Sequence, residues 1–124
     1  MTEAYVTGAE LAIVRRALAG AASGSEPESE PIPETAVFIF GSRATRRGLK
    51  PHSDLDLLID LPQRLTIGRL AALKEALSDS SLPFRVDVVE RLDLAPRFEA
   101  RLMATQPVRL DQAVPHSTPV KDSA

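Results

Sequence analysis

Apolar residues recur at helical spacing in three segments of the chain, and each segment follows a residue that can cap a helix. The predicted helices cover about residues 8–22 after Thr7, which begins a capping-box pattern, residues 67–78 after Thr66, and a segment that begins after Asp93. The apolar positions of the three stripes are Leu11, Val14, Leu18, Ala21, Ile67, Leu70, Leu73, Leu77, Leu94, Phe98 and Leu102. We expect these stripes to pack against the core of the domain.

Three further segments have the hydrophobic pattern of β-strands. Residues 36–40 are an uninterrupted apolar run, which is typical of a strand buried on both faces. Residues 53–60 and 84–90 alternate between two faces, and residues 107–110 have the composition of a short edge strand. Together with the helices, these segments predict an α/β (α+β) fold in which a small mixed sheet of three to four strands is flanked by helices.

The length of 124 residues predicts one domain, because domains usually contain roughly 100–200 residues. We expect this domain to span residues 1–110. Residues 23–35 are rich in proline, serine and glutamate, and we expect them to form an acidic, solvated loop that is either a flexible connector or an interaction segment. Residues 111–124 contain two prolines and are predicted to be a disordered tail.

Composition excludes several classes of function. Fifteen basic and seventeen acidic residues give a net charge of −2, which argues against general DNA binding through phosphate neutralisation. The absence of cysteine excludes disulfides, thiolate zinc sites and a cysteine nucleophile, and leaves oxygen-rich or histidine-based metal sites. No apolar run approaches the roughly 20 residues that cross a bilayer, so we expect no membrane association and a cytoplasmic protein.

Acidic residues interrupt two of the predicted strands. Asp54 and Asp56 are two residues apart in one strand, so both carboxylates point to the same face, and Asp87 lies in an otherwise apolar segment of another. Taking such charges out of water costs several kcal/mol unless a cation offsets them. If the two strands are neighbours, the three carboxylates form an oxygen-only site that suits Mg²⁺ and, with two ions, in-line phosphoryl or nucleotidyl transfer. The alternative is a pair of exposed acids on an edge strand.

Gly41 and Ser42 follow the apolar strand directly. A glycine at this place lets the backbone approach a ligand closely, and the amides that open the next short helix, over about residues 43–47, attract anions. Four basic residues follow, which either hold a triphosphate or form a solvated helix face: Arg43, Arg46, Arg47 and Lys50. The two histidines, His52 in a loop and His116 in the tail, are not expected to be catalytic.

Three short segments stand in a fixed order along the chain: Phe40-Gly41-Ser42-Arg43-Ala44, then Ser53-Asp54-Leu55-Asp56-Leu57-Leu58, then Val86-Asp87-Val88-Val89. Together they resemble the minimal nucleotidyltransferase domain of the polymerase-beta-like superfamily, whose signature is Gly-Ser, about ten residues, Asp-x-Asp and a later strand aspartate. The resemblance covers about residues 7–110. Eleven residues separate Ser42 from Asp54, one more than the commonest spacing, which we expect to alter a loop and not the strand.

The resemblance implies the nucleotidyltransferase fold and a role for each motif residue. Asp54, Asp56 and Asp87 would be the catalytic and metal-binding carboxylates, holding two Mg²⁺ ions, and Asp87 would also help to deprotonate the acceptor hydroxyl. Four residues would bind the phosphates of ATP or another nucleoside triphosphate: Gly41, Ser42, Arg43 and Arg47.

The resemblance also implies a partner, because a domain of this size has no acceptor pocket of its own. Stand-alone domains of this kind resemble the antitoxin of two-gene toxin–antitoxin pairs, in which a helical HEPN-domain toxin receives AMP on a tyrosine. Two alternatives stay open. The chain could nucleotidylate a small hydroxylated molecule such as an aminoglycoside, or it could be a non-catalytic antitoxin that acts by contact alone.

Overall fold

The computed structural model describes residues 2–20, 32–50 and 52–116. Within these residues the chain forms short strands and helices that alternate along most of its length. In chain order the elements are β1 (Thr2–Ala4), α1 (Gly8–Gly20), β2 (Val37–Phe40), α2 (Ser42–Thr45), β3 (Leu55–Ile59), α3 (Ile67–Ser78), β4 (Val86–Glu90), α4 (Pro96–Ala104), β5 (Val108–Arg109) and β6 (Ala113–Pro115).

A mixed four-stranded sheet is the centre of the fold, with the strand order β4-β3-β2-β5. Strands β3 and β4 are parallel, whereas β2 is antiparallel to both of its neighbours. The predicted α/β class and mixed sheet are therefore confirmed, and the edge strand predicted at residues 107–110 is β5. The long connection from β3 to β4 carries α3, as a crossover between parallel strands requires.

One face of the sheet and two helices enclose the hydrophobic core. Alternate residues of β2 and β3 point into it, and α1 packs beside α3 above them. The fully buried side chains are Leu11, Leu18, Leu55, Leu57, Leu73, Val37 and Ile39, among others. Shortening one of these leucines to alanine typically costs about 2–5 kcal/mol, so this face fixes the fold while the opposite face is available for function.

Local side-chain contacts fix the start of two helices as predicted. In a reciprocal capping box, the Thr7 amide nitrogen donates to the Glu10 carboxylate at 2.8 Å and the Glu10 amide nitrogen donates to the Thr7 hydroxyl at 3.1 Å. At the start of α3, the Thr66 hydroxyl accepts from the Arg69 amide. The third predicted cap is wrong. Ala95 precedes α4, and Asp93 instead ends a 3₁₀ turn and pairs with Arg64 at 2.8 Å. No helix in the described ranges combines the length and apolarity needed to span a membrane.

Two of the predicted apolar stripes are incomplete in the structure. Ile67 is 90% exposed because it lies in the first turn of α3, beyond the part of the helix that faces the core. Phe98 is 49% exposed, although Leu102, one turn further along α4, is buried. A helical period identifies the face of a helix, but the packing of the domain decides how much of that face is covered.

The end of the described chain differs from the expectation of a disordered tail from residue 111. Residues 113–115 form β6, which pairs in parallel with β1, and the His116 amide donates to Ala4 and Val6 carbonyls. The expectation is wrong for residues 111–116 because β1, which was not predicted, supplies a partner edge. Residues 117–124 lie outside the described residues.

The predicted acidic loop over residues 23–35 ends earlier than expected. Ile32 is 3% exposed and belongs to the core, and Glu34 accepts a 2.9 Å ion-paired hydrogen bond from Arg15 in α1. The chain therefore rejoins the folded domain at Ile32, just ahead of β2. The earlier part of the loop, up to residue 31, lies outside the described residues.

Candidate active site

The sheet register brings two of the predicted carboxylates side by side. Asp56 in β3 is directly opposite Asp87 in β4 and opposite Phe40 in β2, so these three residues form one row across the sheet. Strand alternation points the row away from the face covered by α1 and α3. Asp54 immediately precedes β3 and is exposed. The interpretation of Asp54 and Asp56 as acids of an edge strand does not hold, because β3 has a partner on each side.

The electrostatics of this row centre on Asp56. Burial, followed by the negative charges of Asp87 and Asp54, raises the pKa of its carboxyl from an ordinary 3.8 to about 6. No lysine or arginine of the described residues forms an ion pair with Asp56. A carboxylate in this position would be stabilised by a cation, so the donor set fits a divalent metal ion.

The described carboxylates do not by themselves enclose an ion. Across residues 2–20, 32–50 and 52–116, no group of three acidic or histidine side chains is arranged as a complete metal-binding cluster. Mg²⁺ usually takes one or two protein carboxylates and completes its shell with water and substrate phosphate oxygens. The arrangement is therefore suited to an ion that arrives with a phosphate ligand.

Gly41 brings the backbone against the Asp56 carboxylate. It has φ 74° and ψ −151°, a conformation that essentially only glycine adopts. A Cβ built on Gly41 would collide with Oδ2 of Asp56. Any other residue at this position would therefore have to displace the carboxylate. The short helix α2 begins at the next residue, Ser42.

A hollow of about 790 Å³ lies beside this turn. Gly41, Ser42 and Arg47 line it, together with Thr105 and Gln106 from the end of α4. Arg47 is exposed, so its guanidinium is accessible to a ligand in this hollow. The predicted phosphate-binding residues Gly41, Ser42 and Arg47 thus share one cavity wall.

Arg43, the fourth predicted phosphate-binding residue, does not line this hollow. Its side chain is 2% exposed, and its guanidinium donates to the carbonyls of Ser53 and Tyr5 and lies 3.9 Å from the centre of the Phe84 ring. The sequence prediction that Arg43 binds the nucleotide is therefore not supported, because its guanidinium is turned into the protein. A basic residue beside a glycine turn gives no sequence signal of burial, since arginine is seldom fully buried.

Several residues that the sequence did not single out for function line the same hollow as Asp56 and Asp87. The hollow has a volume of about 660 Å³ and follows β4, and its wall includes Lys74, Arg85 and the half-exposed ring of Phe98. Phe98 was predicted as a core residue, and only its position in the wall of this hollow distinguishes it from the rest of its stripe. These side chains could contact a base or an acceptor.

Neither histidine belongs to the carboxylate row or lines the hollow beside it. His52 is exposed in the loop before Asp54. His116 contacts Glu3 through Nδ1 at 2.7 Å and packs against the ring of Tyr5, with ring centres 5.2 Å apart. These contacts hold the β1–β6 pair together and give His116 a structural environment.

Comparison with protein families agrees with this geometry. The family described as "Polymerase beta, Nucleotidyltransferase" matches residues 33–108, which is more than half of the chain. The chain belongs to this family. The matched region of this nucleotidyltransferase domain runs from the 3₁₀ turn before β2 to β5, so it contains the Gly41–Ser42 turn and all three aspartates.

The chain is also similar in sequence to a curated relative from Haemophilus influenzae. The chain is 38% identical over 81 residues to the "Probable protein adenylyltransferase MntA" of Haemophilus influenzae. The aligned segment covers 65% of this chain and 61% of the relative, so the chain spans about three fifths of the length of the curated relative it matches. This similarity supports the resemblance to minimal nucleotidyltransferases that the motifs indicate.

Proposed function

We propose that the protein is a Mg²⁺-dependent nucleotidyltransferase that transfers AMP from ATP to a hydroxyl group of a partner protein. The observation that carries the proposal is the row of Asp56 and Asp87 beside the Gly41 turn, with Asp54 immediately before the strand that holds Asp56. Membership of the nucleotidyltransferase family supports the reaction class, and the name of the Haemophilus influenzae relative supports adenylyl transfer to protein.

The three carboxylates have the role of holding the metal in this proposal. Asp54, Asp56 and Asp87 would bind Mg²⁺, which, when bound with the triphosphate, offsets its negative charge and favours ionisation of the acceptor hydroxyl. Asp56 is suited to holding this cation, because its own negative charge is disfavoured until a positive charge lies beside it.

The Gly41–Ser42 turn and Arg47 would hold the phosphates. The first amides of a helix have no acceptor within the helix, so those that open α2 can donate to phosphate oxygens, and the Ser42 hydroxyl adds a further donor. Arg47, exposed in the same hollow, would contribute positive charge at the leaving pyrophosphate.

Asp87 has a second role in the proposed reaction. It is exposed on the β4 side of the row, next to the hollow in which an acceptor would approach. There its carboxylate can accept the proton of the acceptor hydroxyl as the oxygen bonds to the α-phosphorus. The bond from the α-phosphorus to the bridging oxygen breaks, and pyrophosphate leaves.

The acceptor would come from a second protein. The hollow beside Asp87 has the exposed ring of Phe98 at its margin, which offers an apolar contact to a side chain presented from outside. By the family resemblance, that protein is a helical HEPN-domain toxin that presents a tyrosine, and the chain is its antitoxin. A small hydroxylated acceptor is the second candidate, and inhibition by contact alone is the third.

Intact-mass analysis after co-purification from the native host tests the proposal. The partner is incubated with the full chain, Mg²⁺ and each nucleoside triphosphate in turn, with EDTA and the Asp54→Asn/Asp56→Asn variant as controls. We expect the partner to gain the mass of AMP only with ATP, Mg²⁺ and the wild-type chain. Labelling of a small metabolite alone would favour the second candidate, and a stable complex without any transfer would favour the third.

A further inference from the structure

Arg43 is a buried charged side chain for which the proposed chemistry gives no role. It is one of the largest fully buried side chains, together with the leucines of the core. Burial lowers the pKa of its guanidinium, partly offset by the charge of Glu10. Burying a guanidinium costs several kcal/mol unless its donors are satisfied, so a buried arginine needs bonds that an apolar residue could not make.

The contacts of Arg43 join separate parts of the chain. Its Nε donates to the Ser53 carbonyl at 3.0 Å, and its Nη1 donates to the Tyr5 carbonyl at 2.8 Å. Its backbone carbonyl in turn accepts from the Tyr5 amide at 2.8 Å. The guanidinium also covers the face of Phe84, a cation–π contact that is stronger when it is desolvated.

The contacts with Ser53 and Phe84 are made one to three residues from a residue of the active site. Ser53 immediately precedes Asp54, and Phe84 lies three residues before Asp87. Arg43 itself is the second residue of α2, directly after Ser42. One guanidinium therefore joins the phosphate turn, the segment that leads to Asp54 and the segment that leads to Asp87.

The backbone between these segments supports the same connection. The Leu55 amide donates to the Arg85 carbonyl at 2.8 Å, so the stretches that precede β3 and β4 are already paired where Arg43 contacts them. Asp54 lies outside the regular register of β3 and is exposed, so strand pairing alone does not fix its carboxylate. The bond from Arg43 to the Ser53 carbonyl supplies a constraint at that point.

We propose that Arg43 is a positioning residue, which sets the Asp54 and Asp87 carboxylates relative to the Gly41–Ser42 turn without contacting the nucleotide. The expected effect of Arg43 on catalysis rests on the proposed nucleotidyl transfer. The arrangement of the carboxylates can be tested without that reaction, through their affinity for Mn²⁺. A planar fork of fixed donors suits this role, because its edge can donate to two carbonyls while its face covers a ring.

The test compares Arg43→Met with Arg15→Met in the full chain. Arg15 is a matched control, since it also joins distant segments, through Glu34 and the Leu110 carbonyl, but contacts no segment that leads to Asp54 or Asp87. The measurements are the free energy of unfolding in urea, the affinity for Mn²⁺ from the electron paramagnetic resonance signal of the free ion, and kcat per folded molecule. Arg43→Lys and Phe84→Leu each remove only part of the Arg43 contacts.

We expect Arg43→Met to weaken Mn²⁺ binding about tenfold, or roughly 1.4 kcal/mol, and to lower kcat by more than tenfold. Arg43→Lys and Phe84→Leu should show smaller losses in both measurements. Arg15→Met should lose stability but keep the Mn²⁺ affinity and the kcat of the wild type within about twofold. If Arg43→Met does not fold, the two partial variants decide the question by the same comparison with Arg15→Met.

The proposal is wrong if the Arg43 and Phe84 variants lose stability alone and keep wild-type Mn²⁺ affinity and kcat per folded molecule, as Arg15→Met is expected to do. Failure of the proposed function has a different signature. A wild-type chain that binds Mn²⁺ but transfers no nucleotide would contradict nucleotidyl transfer, while the Mn²⁺ affinities of the variants would still decide the role of Arg43.

Discussion

Replacement of Gly41 by alanine separates a backbone effect from a direct effect on the site. The added Cβ would meet Oδ2 of Asp56, and the φ of 74° with ψ of −151° disfavours any L side chain. The backbone cost is of order 1–3 kcal/mol. Moving the Asp56 carboxylate off its rotamer adds about 0.5–1.5 kcal/mol. Gly41→Ala should therefore lower the free energy of unfolding by roughly 1.5–4.5 kcal/mol, which leaves most molecules folded if the total is of order 5–15 kcal/mol.

Gly48→Ala is the matched control for the backbone effect. Gly48 also has a positive φ, 68°, but a Cβ there has no neighbour within 4 Å. This variant should lose roughly 1–2 kcal/mol from the left-handed backbone alone and should keep its transfer rate within about twofold. The difference between the two variants isolates the collision with Asp56.

The assay measures single-turnover transfer at saturating Mg·ATP, after urea unfolding has given the folded fraction of each variant. Gly41→Ala should transfer at least a hundredfold more slowly than the wild type, which corresponds to about 2.7 kcal/mol of transition-state stabilisation. A transfer rate for Gly41→Ala within threefold of the rate for Gly48→Ala would refute the argument, because it would mean that the Asp56 carboxylate is not needed where the structure has it.

Three further changes test the carboxylate row. Asp56→Asn should stabilise the metal-free protein at pH 7–8, because the raised pKa of Asp56 makes its ionised form unfavourable in the folded state. The pKa shift from 3.8 to about 6 limits the gain in free energy of unfolding to about 3 kcal/mol, and solvent screening reduces it to about 1–2 kcal/mol. Urea titrations should show that this gain shrinks as pH falls through 6 and vanishes below 4. Asp87→Asn should keep its calorimetric Mg·ATP affinity within about tenfold while transfer falls a hundredfold or more, whereas Asp54→Asn should lose both; equal behaviour of the two variants would contradict their separate roles. Phe98→Ser should raise the KM for the acceptor and leave the KM for ATP unchanged, and the opposite pattern would put the nucleotide, not the acceptor, beside this ring.

The sequence was sufficient to predict which face of its strand carries Asp56 and which carries Asp87, because strand alternation is a strong local rule. Asp56 and Asp87 each interrupt an apolar segment, so each had to occupy the face opposite its buried neighbours. The register that puts them side by side could not be derived from the pattern. It depends on β3 and β4 being parallel neighbours, which α3 makes possible by crossing between them.

The parts that could not be predicted depend on contacts between distant residues. Strand β6 exists because residues 113–115 meet β1 at the other end of the chain, and nothing local in either segment indicates the pairing. The exposure of Ile67 has the same origin, since the period of α3 is regular but the core ends before its first turn. Local patterns determine which element forms, whereas its partners determine how much of it is buried.

Arg43 and Asp56 illustrate how a buried charge can serve structure or function. Both lose hydration in the folded protein, and in both the burial shifts the pKa toward the neutral form. Arg43 recovers the cost within the chain, from the Ser53 and Tyr5 carbonyls and the ring of Phe84. Asp56 has only negative charges as electrostatic neighbours, Asp87 and Asp54, so its cost is not offset by the described protein. A buried charge that is satisfied by groups of the same chain stabilises one arrangement of that chain. A buried charge without such partners favours binding of a ligand of opposite charge.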